Sequence, residues 1–273
     1  YYSLLPPVVG FFEFSMMRER DDFDQKRVAE LMERYEKDGN YSHSIFREST
    51  QIGRAIVDET AAGPAALSGA LDYERASRII EEGGSWAVAL CYCRHTARLN
   101  GRSCDRPENI CLSFGRAADY FIRRGIARAS SKSESLDLLE QAREHGLVQL
   151  ADNSKKEVGY ICNCCGCCCG MLRAINEWGL PFAVHTSNYI ASVKDSCTGC
   201  GKCVKRCPIK AISLNDRKAT PAAVSEPSAG KNADQKKRKP KKIARIDDRI
   251  CLGCGVCARG CEHAAIAMER RRV

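Results

Sequence analysis

Eight cysteines stand in two copies of one spacing. Cys197, Cys200, Cys203 and Cys207 lie in C-T-G-C-G-K-C-V-K-R-C-P, and Cys251, Cys254, Cys257 and Cys261 lie in C-L-G-C-G-V-C-A-R-G-C-E. Both copies read C-x2-C-x2-C-x3-C. A four-iron cube needs one thiolate at each corner. Three cysteines at intervals of three can wrap a loop around three corners, and the fourth ligand then comes from elsewhere. Structural zinc sites prefer two well-separated C-x2-C pairs, which is a different grammar. The chemistry these residues offer is one-electron transfer through [4Fe–4S] clusters.

The flanking residues fit that role. Gly199, Gly201, Gly253 and Gly255 separate ligands where the backbone must turn tightly. Pro208 follows the fourth cysteine of the first run, and Glu262 takes that place in the second. Ala211-Ile212 and Ala265-Ile266 repeat at the same distance after each run, so the stretch reads as an internal duplication. It resembles the two-cluster bacterial-type ferredoxin family, over residues 183 to 270. The resemblance implies a pseudo-twofold α+β fold in which each half gives a hairpin and a short helix. It also implies crossed ligation. Cys197, Cys200, Cys203 and Cys261 would hold one cluster, and Cys251, Cys254, Cys257 and Cys207 the other.

Ten of the chain's 18 cysteines remain. Cys91, Cys93, Cys104 and Cys111 make a complete ligand set for a third cubane, with zinc as the alternative at Cys91–Cys111. Cys162, Cys165 and Cys168 repeat the C-x2-C-x2-C interval and suggest a fourth cluster, with Cys164, Cys167 and Cys169 as alternates. Arg94 and His95 lie where they could hydrogen-bond to sulfur, although a lone histidine is more often satisfied by ordinary partners. Cys164-Cys165-Gly166 resembles the CCG signature of heterodisulfide reductase-type proteins, but the downstream cysteine pair of that family is missing here. The chain as a whole resembles larger 4Fe–4S dicluster-domain proteins of anaerobes.

The elements that must position these residues are mixed helix and strand, giving an α+β protein. Its two parts are a cysteine-rich unit over 1–182 and a ferredoxin unit over 183–273. Asp24 reads as the cap of a helix that stops at Gly39, and Asp72 as the cap of one that reaches Gly83-Gly84. S-W-A-V-A-L-C-Y-C reads as a strand. Helices follow over 117–124 and 135–145, then the strand L-V-Q-L, then a helix over 171–178. Trp86 and Trp178 read as core or interface residues.

The net charge of +9 is concentrated in one segment. Residues 231–242 hold seven basic and one acidic side chain, contributing +6 and leaving +3 for everything else. Two clusters at about −2 each bring that remainder close to neutral. The basic residues sit in an apparent insertion over 216–243, too charged to order itself. This segment is expected to be solvated or to dock electrostatically on an acidic partner or surface. No nucleic-acid recognition motif accompanies it, so specific nucleic-acid binding is not expected. No apolar run reaches the length of a membrane helix. No nicotinamide or flavin glycine motif follows a strand.

These observations lead to one expectation of function. The chain is an electron-transfer subunit, cytoplasmic or peripheral to a membrane complex, that relays electrons to redox partner proteins in an anaerobic oxidoreductase complex. The alternative is a stand-alone oxidoreductase that reduces a disulfide, quinone or corrinoid at Cys162–Cys169.

Overall fold

The computed structural model describes residues 10–37, 45–47, 50–68, 70–102, 104–154, 156–217 and 242–271. Its largest element is a six-stranded antiparallel sheet. The strands are β1 (Gly53–Ala55), β2 (Trp86–Leu90), β3 (Asn109–Phe114), β4 (Arg128–Ser130), β5 (Val148–Asp152) and β6 (Tyr160–Cys164), in the order β1-β5-β6-β3-β2-β4. Side chains alternate between the two faces of a strand, and here the two faces have different chemistry. Val88, Leu112, Ala151 and Ile161 pack with Ile79, Ile80 and Leu139 in one apolar cluster. The latter three come from the helices Ala76–Glu82 and Lys132–Glu144. Val148, Leu150 and Cys164 point the other way, into a second cluster.

Several helices start where the sequence places them. Asp24 accepts from the Arg27 N–H at 2.8 Å ahead of Gln25–Lys37. Helices Gly115–Arg123 and Gly170–Glu177 lie within two residues of their expected bounds, while Lys132–Glu144 starts three residues before the expected 135 because Ser131 caps it through the Glu134 N–H. Two expectations are corrected. Asp72 opens only a short 3-10 turn, Asp72–Glu74, and the helix Ala76–Glu82 starts afresh because Arg75 is extended at φ −118°, ψ 111°. The strand read through Cys93 ends at Leu90, and Tyr92–Leu99 is a helix with Cys91 at its N-cap position.

The part of the chain expected to be a ferredoxin unit is built as twins over its described residues. Strands β7 (Tyr189–Val193) and β10 (Ile266–Arg270) pair antiparallel, as do β8 (Ile212–Asp216) and β9 (Lys242–Ile246). The helices Lys202–Arg206 and Val256–Arg259 each begin at a left-handed glycine, Gly201 or Gly255. Corresponding residues repeat the same contacts. The Lys194 N–H donates to the Ala265 carbonyl and the Asp247 N–H to the Ala211 carbonyl, both at 2.8 Å. The β8–β9 ladder extends through Asp216↔Lys242, so these two residues of the supposed insertion belong to a hairpin stem. The basic run at 231–242 lies outside the described residues except for Lys242.

The two units share one apolar core. Ala55, Val57, Leu150 and Leu172 of the first pack with Leu252, Val256, Ile266 and Met268 of the second. Polar contacts fix the same junction. Asp58 caps the helix Glu59–Leu67 through the Thr60 N–H, and its own N–H donates to the Cys254 carbonyl at 2.9 Å. Buried Arg143 donates to Glu59 Oε2 at 2.9 Å and lies 3.7 Å from Asp58 Oδ1. Trp86 is held by its indole N–H on the Ile80 carbonyl, and Trp178 stacks on Phe46. Both tryptophans are therefore packing residues, as expected.

Each glycine loop of the ferredoxin unit sits on a strand of the opposite half. A Cβ on Gly199 (φ +70°) would lie 2.1 Å from the Lys242 carbonyl oxygen, and one on Gly253 (φ +68°) would lie 2.0 Å from that of Tyr189. Backbone cannot yield as a side-chain tip can. Gly253→Ala is expected to cost about 2 kcal/mol or more, a fall in the anaerobic unfolding midpoint of roughly 4–8 °C. Gly179→Ala, equally left-handed but with open space around it, should lose about half as much. Equal losses would show that the carbonyl contact is not what matters.

Candidate metal centres

The crossed cysteine sets of the ferredoxin unit come together as groups. Cys197, Cys200, Cys203 and Cys261 line one small cavity beside Gly201, Leu214 and Ile266. Cys207 lies instead with the second run. Burial pushes the Cys257 thiol up to about 12, and nearby charge on Cys207, Cys251 and Cys203 adds to the shift. Burial also raises Cys254, with Cys257, Cys207 and Cys251 as its charged neighbours. The fourth cysteine of each run accepts from the backbone N–H four residues on, just before the next strand: Ala211 N–H to Cys207 Sγ at 3.2 Å, and Ala265 N–H to Cys261 Sγ at 3.3 Å. The two sites differ in exposure. Cys200 is exposed, whereas Cys251 and Cys257 are buried against the cysteine-rich unit.

The other ten cysteines are also gathered, but not by their order along the chain. Cys104 joins Cys165, Cys167 and Cys168, and all four sulfurs lie within 4.8 Å of one another. Three of the separations are 4.0 Å (Cys104–Cys165), 3.9 Å (Cys104–Cys168) and 3.7 Å (Cys167–Cys168). The remaining six, Cys91, Cys93, Cys111, Cys162, Cys164 and Cys169, form a closed ring. Its order is 91–93–169–164–162–111 and back to 91, each thiol acting electrostatically on the two that flank it. The sequence grouping of Cys91, Cys93, Cys104 and Cys111 is therefore split, and so is that of Cys162, Cys165 and Cys168.

Sheet register explains the split. Leu112↔Ile161 and Ser113↔Tyr160 pair in β3–β6, so the next step sets Cys111 opposite Cys162. Cys162 and Cys164, two apart on β6, share a face. Cys91 and Cys169 reach the ring from N-cap positions of two eight-residue helices, Tyr92–Leu99 and Gly170–Glu177. Cys165, Gly166 and Cys167 leave the strand in a turn that directs the next sulfurs elsewhere.

Protonation alternates around the ring. Cys91, Cys162 (to about 6) and Cys169 are held below the ordinary thiol range, each chiefly because two neighbouring thiols donate to it. Those donors, Cys93, Cys111 and Cys164, are pushed up by the same contacts. The Arg94 N–H supports Cys91 and the Leu172 N–H supports Cys169, as helix N-termini favour thiolate. In the quartet, Cys165 is lowered by donation from Cys167 and Cys168 and by Arg94, and Cys167 is pushed up to about 11.

Arg94 stands between the two groups. It is 2% exposed. Its Nη1 donates to the Asn163 carbonyl at 2.9 Å and lies 3.9 Å from Cys165 Sγ. Its Nε and Nη2 are buried without a protein partner. A buried guanidinium with two idle donors among thiolates is matched by an anionic centre. His95 instead bonds the Met16 carbonyl through Nδ1 at 2.8 Å, the ordinary satisfaction expected of a lone histidine. Sequence reasoning missed Tyr92, Tyr160 and Glu13, which border the ring; Glu13 is raised by burial first, with charge on Cys162 adding to it. Only Tyr160, next to a cysteine run on a strand, carried any local signal.

The cysteine-rich loop touches the ferredoxin unit directly. A Cβ on Gly166 would lie 2.0 Å from the Pro208 carbonyl oxygen. Asn176 Nδ2 donates to both the Gly166 and Pro208 carbonyls, at 3.1 and 2.9 Å. Cys165 and Cys167 are thereby fixed one peptide away from Cys207.

Residues 196–265 match the family model of the 4Fe-4S dicluster domain. That span contains both cysteine runs and the repeat between them. No curated protein and no solved structure matches the chain. Among the described residues no helix is long and apolar enough to cross a membrane.

Outer partners of metal ligands typically matter by about 10–100-fold in affinity. Arg94→Met is expected to weaken metal retention by the ten N-terminal thiols on that scale in an anaerobic chelator competition. Iron held by the ferredoxin unit should stay. Unchanged retention would mean that Arg94 serves packing alone.

Proposed function

We propose that this chain is an electron-transfer subunit. Its ferredoxin unit holds two [4Fe–4S] clusters in crossed cysteine sets and exchanges electrons with a partner protein at the exposed site. The 4Fe–4S dicluster match supports iron–sulfur electron transfer. One observation supports the finer reading: the two runs fold as twins, each on the other half's strand, and Cys207 is among the charged neighbours of both Cys254 and Cys257.

When bound, each cluster supplies a one-electron couple whose potential follows charge, hydrogen bonding and solvent exposure. The chain's own residues set those variables differently at the two sites. Cys200 opens the first site to solvent, with the Lys202–Glu262 ion pair at its rim. The second site is closed over by Asp58 and by the helix Glu59–Leu67, whose Asp58 and Ala61 side chains pack against Gly255. The exposed site suits exchange with a soluble or complex-bound partner. The closed site faces the Pro208–Gly166 contact and the ten further thiols, so the natural direction of relay is through the ferredoxin unit to or from the cysteine-rich unit.

Iron analysis and a potentiometric titration test this reading. Cys200→Ser and Cys254→Ser should each remove about four irons and one one-electron wave. The exposed site should yield iron to a chelator faster than the closed one. Eight cysteine positions filled by zinc, or free of iron after anaerobic preparation, would end the proposal.

A further inference from the structure

We infer that the ten N-terminal thiols form two metal sites of different kind: a zinc site at Cys104, Cys165, Cys167 and Cys168, and an iron–sulfur cluster site that uses all six of Cys91, Cys93, Cys111, Cys162, Cys164 and Cys169. The inference extends the iron–sulfur reading above and rests on it for the ferredoxin unit's iron.

The quartet has the dimensions of a single ion. A tetrahedron with metal–sulfur bonds of about 2.3 Å has edges of about 3.8 Å. The observed separations of 3.7, 3.9 and 4.0 Å fall on that value. A cubane sets its four thiolates outside four separate irons, so its ligand sulfurs must stand wider apart. Four sulfurs leave no open coordination position, which marks a structural rather than a catalytic zinc site. Arg94, 3.9 Å from Cys165 Sγ, offsets part of the charge that four thiolates keep after binding a divalent ion. The site locks the Cys165–Cys168 turn to Cys104, which lies on the far side of β3 in the chain. It thereby fixes the turn that rests on Pro208.

The ring has the opposite dimensions. Among the described residues, the quartet is the group whose ligand atoms all lie within 4.8 Å, and the six ring sulfurs do not form another. One ion cannot span them, whereas a multi-iron core inside the ring can meet each in turn. The ring is closed, so no cysteine stands apart as a spare. Two helix N-termini face it through Cys91 and Cys169, each helix eight residues long. The two partnerless donors of Arg94 lie beside it, with Cys91, Cys111 and Cys164 among the charges acting on that guanidinium. A single cubane would use four of these thiolates and leave two buried without a role. A cluster bound by six removes that residue of unused sulfur.

Single cysteine variants separate this partition from one that follows chain order. Iron, zinc and acid-labile sulfide are counted per chain after anaerobic preparation of the full chain. Cys104→Ser should lose one zinc and keep all iron. Cys111→Ser should lose the iron and sulfide beyond the roughly eight irons of the ferredoxin unit and keep the zinc. Cys93→Ser and Cys169→Ser should behave as Cys111→Ser. Zinc-edge X-ray absorption on the unaltered protein, which needs no variant to fold, should show one shell of four sulfurs at about 2.3 Å.

Loss of the same metal from Cys104→Ser and Cys111→Ser overturns the partition. Zinc-free protein, or a zinc shell with nitrogen or oxygen, overturns the quartet assignment. Unchanged iron in Cys93→Ser or Cys169→Ser overturns the six-ligand ring. Retention of the ferredoxin iron in each variant shows that the chain has folded. Absence of that iron from the unaltered protein is the separate failure of the proposal above.

Discussion

Sulfur anions in a dry interior are the constraint on which this structure depends. A buried thiolate is costly unless charge or hydrogen bonds meet it. The protein places 18 cysteines in one chain and gathers all of them into groups. Its answers are local and of three kinds. Loop backbone turns its N–H groups toward sulfur, as at Ala211 and Ala265. Helix N-termini face Cys91 and Cys169. A buried guanidinium, Arg94, lies where two thiol groups meet.

That demand for compensation also shapes the large-scale architecture. The sheet presents an ordinary apolar face to the helices Ala76–Glu82 and Lys132–Glu144, and it reserves the opposite face for sulfur. The ferredoxin unit then covers part of the sulfur-bearing side, so the two units share a core rather than meeting at a polar interface. Asp58 and Asn176 add direction to this burial. The first ties the Cys254 loop to the sheet side, and the second ties the Pro208 carbonyl to the Cys165–Cys167 turn. Rigid contact of this kind suits a relay, because tunnelling distance must not fluctuate.

The repeat around the two C-terminal cysteine runs was legible because its information is local. Ligand spacing, the glycines between ligands and the repeat after each run all lie within short stretches, and the twin hairpins follow from them. The grouping of the ten other cysteines was not legible, because strand register makes it. I-C-L-S-F and Y-I-C-N-C are strands, yet cysteine occupies positions where the alternation of apolar and polar residues is normally read. Without β3 and β6, nothing joined Cys111 to Cys162 or freed Cys104 to meet Cys165. Helix positions fared better where the cap has a local partner, as Asp24 does. Asp72 misled because its neighbour Arg75 breaks the helix, and the break is imposed by packing: Arg75 is drawn to buried Glu59, at 3.0 Å.

The difference in exposure between the two ferredoxin sites gives the molecule a polarity that composition alone could not. The site around Cys200 opens to solvent, while the site around Cys251 and Cys257 is shut by residues of the other unit. Solvent stabilises the more highly charged, reduced state of an anionic centre, and neighbouring thiolates oppose it. With clusters bound as proposed, the open site would favour holding an electron relative to an otherwise equal site facing the sulfur-rich interior, unless cations intervene there. Arg94 is such a cation, and it lies beyond the closed site, among the ten thiols. In the relay proposed above, its position would lower the electrostatic step for an electron passing toward the cysteine-rich unit. A buried charge that gains no full set of protein hydrogen bonds is thus matched by the thiols it stands beside.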